Sequence, residues 1–293
     1  MEQIISEKAL KIIKKMQQNE ITESAIYEQI AQRAKGEENK KVLLRLSNEE
    51  HAHYEIWKKY TGIEMKPEGG KVRKFKFLAT VLGFTFAVKL MENGEENAQD
   101  EYALLENEVS ESVVIRNQEE EHEAALLELL DEERLQYVGS MVLGLNDALV
   151  ELTGTLAGLT FALQNTRLVA LSGLITGISA TLSMASSEFL SAKSEGRHDA
   201  LKSCAYTGSA YVGTVALLIA PYLIFNSERY VFALLSMLII VVMIIAGFTY
   251  YISVAQGISF KKRFREMATI SLSVAFISFI VGLLVKQFLG IDI

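Results

Sequence analysis

The chain has 293 residues, half of them hydrophobic and 22% charged, with 29 Lys+Arg against 36 Asp+Glu. Two prolines and repeated apolar runs exclude a disordered or collagen-like chain, the single Cys204 excludes a disulfide framework or a cysteine zinc site, and the acidic balance argues against a nucleic-acid binder. The charge is unevenly spread: the first 137 residues carry 19 basic and 28 acidic side chains, the remaining 156 only 10 and 8. The first part reads as soluble and the second as lipid-embedded. Met1 to Glu7 lacks a basic start ahead of an apolar core, so no cleaved signal peptide is expected.

Ile4, Ile5, Ala9, Ile12, Ile13 and Met16, then Ile21, Ala25, Ile26, Ile30 and Ala34, keep a helical period. Gly36 reads as a break, and Val42, Leu43, Leu46, Ile56 and Trp57 continue on a second helix that stops near Thr61-Gly62. A linker is expected over Ile63–Lys71, with Pro67 and Gly69-Gly70 inside it. Two further helices are expected at about Val72–Glu108 and Ser110–Arg134. The stretch FKFLATVLGFTFAVKL, Phe75–Leu90, is apolar but short, with Lys76 and Lys89 inside its ends. It reads as a buried bundle helix resting against a membrane surface in preference to a span.

A bilayer core of about 30 Å needs roughly 20 mainly apolar residues per helix. Five such stretches follow, at about Val138–Gln164, Leu168–Ala192, Ala200–Phe225, Tyr230–Gln256 and Met267–Leu289. With the N-terminus inside, inner loops hold Arg134, Lys193, Arg197, Lys202, Lys261, Lys262, Arg263 and Arg265. Outer positions then hold only Arg167, Arg229 and Lys286, so the positive-inside rule places the N-terminus in the cytoplasm and the C-terminus outside. Gly154 with Gly158, and Gly173 with Gly177, have the four-residue spacing of close helix contacts.

Acids within a span are costly and usually face a polar cavity or a partner. Asp147 and Glu151 are one turn apart in the first span; Met184 and Glu188 are one turn apart in the second, with Ser183, Ser186 and Ser187 alongside. Two readings stand: a hydrogen-bonded structural role, or an internal cation or proton site. Carboxylates with a thioether suit iron(II) or manganese(II) better than an anion or a sugar.

The soluble part holds a repeated pattern. Glu20 and Tyr27 precede Glu50-x-x-His53; Glu95 and Tyr102 precede Glu119-x-x-His122. Each spacing keeps its pair on one helix face. One inward Glu from each of two helices and a Glu-x-x-His from each of two others is the general recipe for a di-iron or di-manganese carboxylate centre. Four carboxylates neutralise two divalent ions, and two neutral imidazoles complete the set. The competing reading is a solvated acidic face; a lone Glu195-x-x-His198 in a membrane loop shows how weak one such spacing is. Glu23, Glu92 and Glu123 fall within a turn of these candidates, as extra ligands, a third metal site or surface charge. His51 reads as exposed or as an outer partner, and Tyr27 and Tyr102 as hydrogen-bond partners of the carboxylates or as core. From Glu92 to Glu133 sixteen acids face one base, Arg116, either as a soluble face or as a surface that concentrates cations.

Taken together, NEITESAIYEQIA, NEEHAHYEIWKKYTG, MENGEENAQDEY and QEEEHEAALLELL, followed by GLNDALVELTGTLAGL and TLSMASSEFLSAKSEG, resemble a rubrerythrin-like (erythrin) ferritin-like domain fused to a vacuolar-iron-transporter-type membrane domain, as in membrane-bound ferritin proteins. The resemblance implies an all-α chain: a ferritin-like four-helix bundle over residues 1–134, then a five-helix transmembrane domain over 135–293. It implies a homodimer in a prokaryotic cell membrane that exchanges cytosolic iron(II), or manganese(II), for protons. It implies two iron ions, or manganese or a mixed pair, in the bundle, and a path using Asp147 and Met184, with Glu151 and Glu188 at neighbouring positions. The alternative is a membrane-anchored di-iron ferroxidase or peroxidase whose helices serve mainly as an anchor. One departure stands out: the Glu-rich insert usual between the second and third membrane helices is reduced here to about Lys193–Lys202. Whether the bundle closes within one chain or exchanges helices with a dimer partner is left open by the linker Ile63–Lys71.

Overall fold

The computed structural model describes residues 5–34, 36–92, 104–106, 108–129 and 137–289, without the side chains of residues 92, 120, 123–129 and 289. The described residues form ten helices in two compact units, Met1–Arg134 and Leu135–Ile293.

In the first unit, α1 (Glu7–Ala31) starts at Ser6, whose hydroxyl accepts from Ala9 N at 3.1 Å and satisfies a backbone donor that the first turn leaves open. α2 (Glu37–Thr61) runs back along it after Gly36 at φ +92° and ends on Gly62 in the left-handed region at φ +63°. Ser24 and Ser47 fix the register between them. Each hydroxyl donates to the other residue's carbonyl at 2.8 Å. The chain after α2 is tied down by polar contacts: buried Gln17 donates to Ile63 O at 2.7 Å, and Met65 N donates to the Tyr54 hydroxyl at 3.1 Å.

The helix expected over Val72–Glu108 is not continuous. α3 (Gly69–Leu82) begins at the two glycines assigned above to the linker, and α4 (Phe84–Glu92) follows a break at Gly83, φ +101° and ψ 151°. That conformation is reserved for glycine, so a single residue inside the apolar run turns the helix axis. The halves also differ in burial. α3 has no fully buried residue, whereas α4 buries Phe86, Ala87, Val88 and Met91. α5 (Glu111–Leu129) packs on α2.

Two apolar clusters bracket the unit. One joins Ile26, Tyr27, Ile30, Leu43, Leu46, Ala87 and Val88; the other joins Ala9, Ile13, Met16, Trp57, Leu105 and Ile115. Along both α1 and α2 the segment between these clusters carries buried Glu20, Glu50 and His53.

The second unit comprises α6 (Val138–Leu163), α7 (Thr166–Ser194), α8 (Ala200–Ile224), α9 (Tyr230–Gln256) and α10 (Phe260–Leu289). All five are long and apolar enough to cross a bilayer. α10 starts seven residues earlier than expected. The basic run Lys261–Arg265 forms its first turns, because Lys and Arg are good helix formers whose long stems carry the charge away from an apolar surface. α6 is central, packing on α7, α8, α9 and α10, with Leu149, Leu152 and Leu156 fully buried. The small residues sit at helix contacts: a Cβ on Gly173 would meet Leu156 of α6, one on Gly177 would meet Val215 of α8, and those on Gly154 and Gly158 would meet Ser278 of α10.

Candidate metal centre and membrane acids

Glu20 from α1, Glu50 and His53 from α2, and Glu119 from α5 each bring one ligand-type atom within 4.8 Å of all the others. Period and packing explain this. Glu50 and His53 share the face of α2 that turns to α1, and the register fixed at Ser24 and Ser47 brings Glu20 level with them. His53 Nδ1 stands 2.9 Å from Glu119 Oε1 and 3.7 Å from both Glu20 Oε2 and Glu50 Oε2. His122, buried on α5, turns its own Nδ1 to Glu50 Oε1 at 3.4 Å and Glu119 Oε2 at 3.6 Å. Glu50 and Glu119 thus lie between the two histidines, whose rings stack 5.7 Å apart at 20°. The indole of Trp57 donates to Glu20 Oε1 at 3.1 Å.

The electrostatics demand a positive charge. Burial pushes the Glu20 carboxyl well above its ordinary value. Burial pulls the other way on the imidazoles, yet the surrounding carboxylates raise His53 far above its usual range and His122 to about 10. Burial would also raise Glu119, but His122 and His53 hold it down at about 2. Close approach has not produced aligned hydrogen bonds. Glu50 Oε2, His53 Nδ1, Glu119 Oε1 and His122 Nδ1 are buried with no hydrogen-bond partner among the described residues. Orphaned buried polar atoms are rare and costly. Here Glu50 Oε2 and Glu119 Oε1 face His53 Nδ1 while His122 Nδ1 faces the other oxygens of the same two carboxylates, and the donor set of carboxylate oxygens and imidazole nitrogens fits a divalent transition ion. Glu20, Glu50, His53 and Glu119 are the residues able to hold such an ion, with His122 beside Glu50 and Glu119.

Of the other sequence candidates, Glu95 and Tyr102 lie outside the described residues, as do the side chains of Glu92 and Glu123. Glu23 lines a separate cavity of about 320 Å³ with Asn19, Lys71, Lys74 and Met91. Tyr27 is buried in the apolar cluster, and His51 is exposed against the Tyr54 ring. The lone Glu195-x-x-His198 gathers no such set among the described residues: Glu195 is exposed and accepts from Ser191.

In the second unit Asp147, Glu151 and Glu188 fall into two groups. Asp147 is half-buried on α6, and the Tyr211 hydroxyl of α8, lying beside it, donates to Glu151 Oε2 at 2.9 Å. Glu188 on α7 takes hydroxyls from two other helices. Ser140 of α6 donates to its Oε1 at 2.8 Å, Ser203 of α8 makes a short bond to the same oxygen, and the two serines stand 2.8 Å apart. The serines expected beside Glu188 do not serve it; Ser183, Ser186 and Ser187 are exposed. Ser140, Ser203 and Tyr211 had no signal in the sequence, because each reaches its acid from a different helix. Met184 is half-buried against the apolar cluster of α6.

No curated protein and no solved structure matches the chain. The stretch that carries both acid groups on α6 and α7, and reaches the start of α8, does match a family model: residues 138–201 are similar to the VIT family.

Proposed function

We propose that the protein is a transmembrane transporter of iron(II), or manganese(II), that moves the ion out of the cytoplasm in exchange for protons. The observation that carries this reading is the set of carboxylates inside the spans of the stretch similar to the VIT family, Asp147, Glu151 and Glu188, with the Met184 thioether nearby in sequence. A bilayer-spanning helix has no use for such groups as an anchor, and a cation path has. The ion enters from the acidic inner side, exchanges water for carboxylate oxygens and leaves outward. A carboxylate that releases a dication takes up a proton, which supplies the coupling. The hydroxyls of Ser140, Ser203 and Tyr211 orient the acids that do this.

The first unit is read as a cytoplasmic ferritin-like di-metal domain, with Glu20, Glu50, His53, Glu119 and His122 as ligands and Glu95 completing the set. Two bound iron ions would supply oxidation of iron(II) or reaction with peroxide. The chain's own residues gather the cation and hold neutral imidazole nitrogens toward it. The domain captures or senses the ion that the membrane unit exports, and the working form is a homodimer in a prokaryotic cell membrane with the N-terminus in the cytoplasm. The second reading, an anchored ferroxidase or peroxidase, is favoured by the buried Glu/His cluster alone.

Liposomes carrying the full chain decide between them. Saturable iron(II) or manganese(II) flux that responds to an imposed proton gradient is the expected result. No flux of either ion from folded, inserted protein, together with peroxide consumption by the loaded chain, would transfer the assignment to the anchored enzyme.

A further inference from the structure

Each Glu-x-x-His motif is preceded by a polar residue, Glu49 before Glu50 and Gln118 before Glu119. The packing of α2 on α5 sets each of these against the histidine of the opposite motif. Gln118 Oε1 is hydrogen-bonded to His53 Nε2 at 2.9 Å. Glu49 Oε2 stands 2.8 Å from His122 Nε2, a contact that is close but not aligned as a hydrogen bond, and this oxygen has no hydrogen-bond partner among the described residues. In both histidines the nitrogen facing Glu50 and Glu119 is Nδ1. An acceptor at Nε2 keeps the ring proton there and leaves the Nδ1 lone pair directed inward, so Glu49 and Gln118 set the same tautomer on the two rings.

The two acceptors are chemically unequal. Glu49 is an anion and Gln118 a neutral amide, so at similar distance the carboxylate attracts the Nε2 proton more strongly than the amide oxygen does. A stronger acceptor on the outer nitrogen makes the inner one a better donor to a dication. Arg45 Nε lies 3.7 Å from the other Glu49 oxygen, but that pair is exposed and screened, so it tempers the carboxylate without neutralising it. On the opposite side, the Trp57 N–H draws on the charge of Glu20, whose Oε2 stands 3.7 Å from His53 Nδ1. Both differences run the same way.

Building on the two-ion reading above, we propose that Glu49 and Gln118 are positioning residues that make the two ion positions unequal, the tighter one at His122 and the weaker one at His53. The centre then keeps one ion and exchanges the other. The exchanging position follows the free ion concentration while the other stays filled, which is the behaviour a capture or sensing domain requires.

The test is a manganese(II) titration of the full chain in lipid nanodiscs, with free ion counted by electron paramagnetic resonance and binding outside this centre subtracted with Glu50→Ala. The expected wild-type result is two resolved steps. Glu49→Gln weakens the tighter step by roughly 10-fold to 100-fold, Gln118→Glu tightens the weaker one by a similar factor, and the double variant again shows two steps. His53→Ala removes the weaker step and leaves the tighter, and in the double variant that assignment reverses. Wild type indistinguishable from Glu50→Ala would overturn the two-ion reading itself. Two ions bound in one unresolved step, or two steps that neither Glu49→Gln nor Gln118→Glu moves, would overturn the inequality and leave the two-ion reading standing.

Discussion

The indole N–H of Trp57, the only tryptophan of the chain, rests 3.1 Å from Glu20 Oε1 at the edge of the buried Glu/His cluster. Its emission therefore reports on the cluster without a label. Adding manganese(II) to metal-free protein should change the Trp57 fluorescence saturably, and Glu50→Ala should abolish the change. A response that survives Glu50→Ala would place the bound ion elsewhere.

Proton release gives a second check. Without a metal, His122 titrates at about 10, above its ordinary 6.5, so at pH 7 it carries a proton. The stability it contributes is fully present below its unfolded value and is lost as pH rises through about 10. Glu119, lowered from 4.5 to about 2, contributes above its unfolded value and loses that contribution as pH falls through about 2. A dication needs both imidazoles neutral, so loading at pH 7 should expel protons and weaken as pH is lowered. Calorimetry in two buffers of different ionisation heat measures the count. Loading with no net proton release would contradict binding at these histidines.

In the membrane unit, Asp147→Ala should abolish ion flux in liposomes while the first unit still binds its metal. Tyr211→Phe, which removes the hydroxyl that donates to Glu151 and lies beside Asp147, should leave the protein folded and lower flux by about tenfold, the effect of losing a group that orients a ligand. Undiminished flux in Asp147→Ala would remove this residue from the path.

Gly83 bears on stability alone. Its φ of +101° with ψ of 151° falls in a region essentially closed to other residues, so Gly83→Val should cost on the order of 1–3 kcal/mol. A lower melting temperature of the first unit in circular dichroism is the expected readout; an unchanged one would argue against the bend between α3 and α4.

Much of this architecture could be read in the sequence, and the exceptions have physical reasons. The five long apolar helices were legible because lipid leaves a spanning backbone no alternative to satisfying itself. Glu50, His53, Glu119 and His122 were legible as a group because a three-residue spacing repeats. Gly83 was hidden, since an isolated glycine is tolerated in a helix and only the structure shows its φ. The start of α10 was hidden because a basic run serves equally as a loop or as a first helical turn. Glu188 drew attention by its charge, but its partners Ser140 and Ser203 lie 48 and 15 residues away in the chain and share no periodicity with it.

Gly158 and Gly282 bring α6 and α10 together without side chains between them: a Cβ built on Gly282 would lie 2.3 Å from Gly158 O. Backbone seated on backbone offers nothing soft to slide over, so these two helices form a single stiff frame. The contacts of α7 are of another kind, with Gly173 facing the end of the Leu156 side chain and Gly177 facing the Val215 side chain, so side chains and not backbone are what these glycines meet. Gly144 likewise seats α6 on the backbone of α8, a Cβ there lying 2.6 Å from Thr207 O, so any alternation of access in this unit falls to α7 shearing past α6, α8 and α10. Spin labels on α6 and α10 should keep one separation through the cycle, while a pair on α6 and α7 should not.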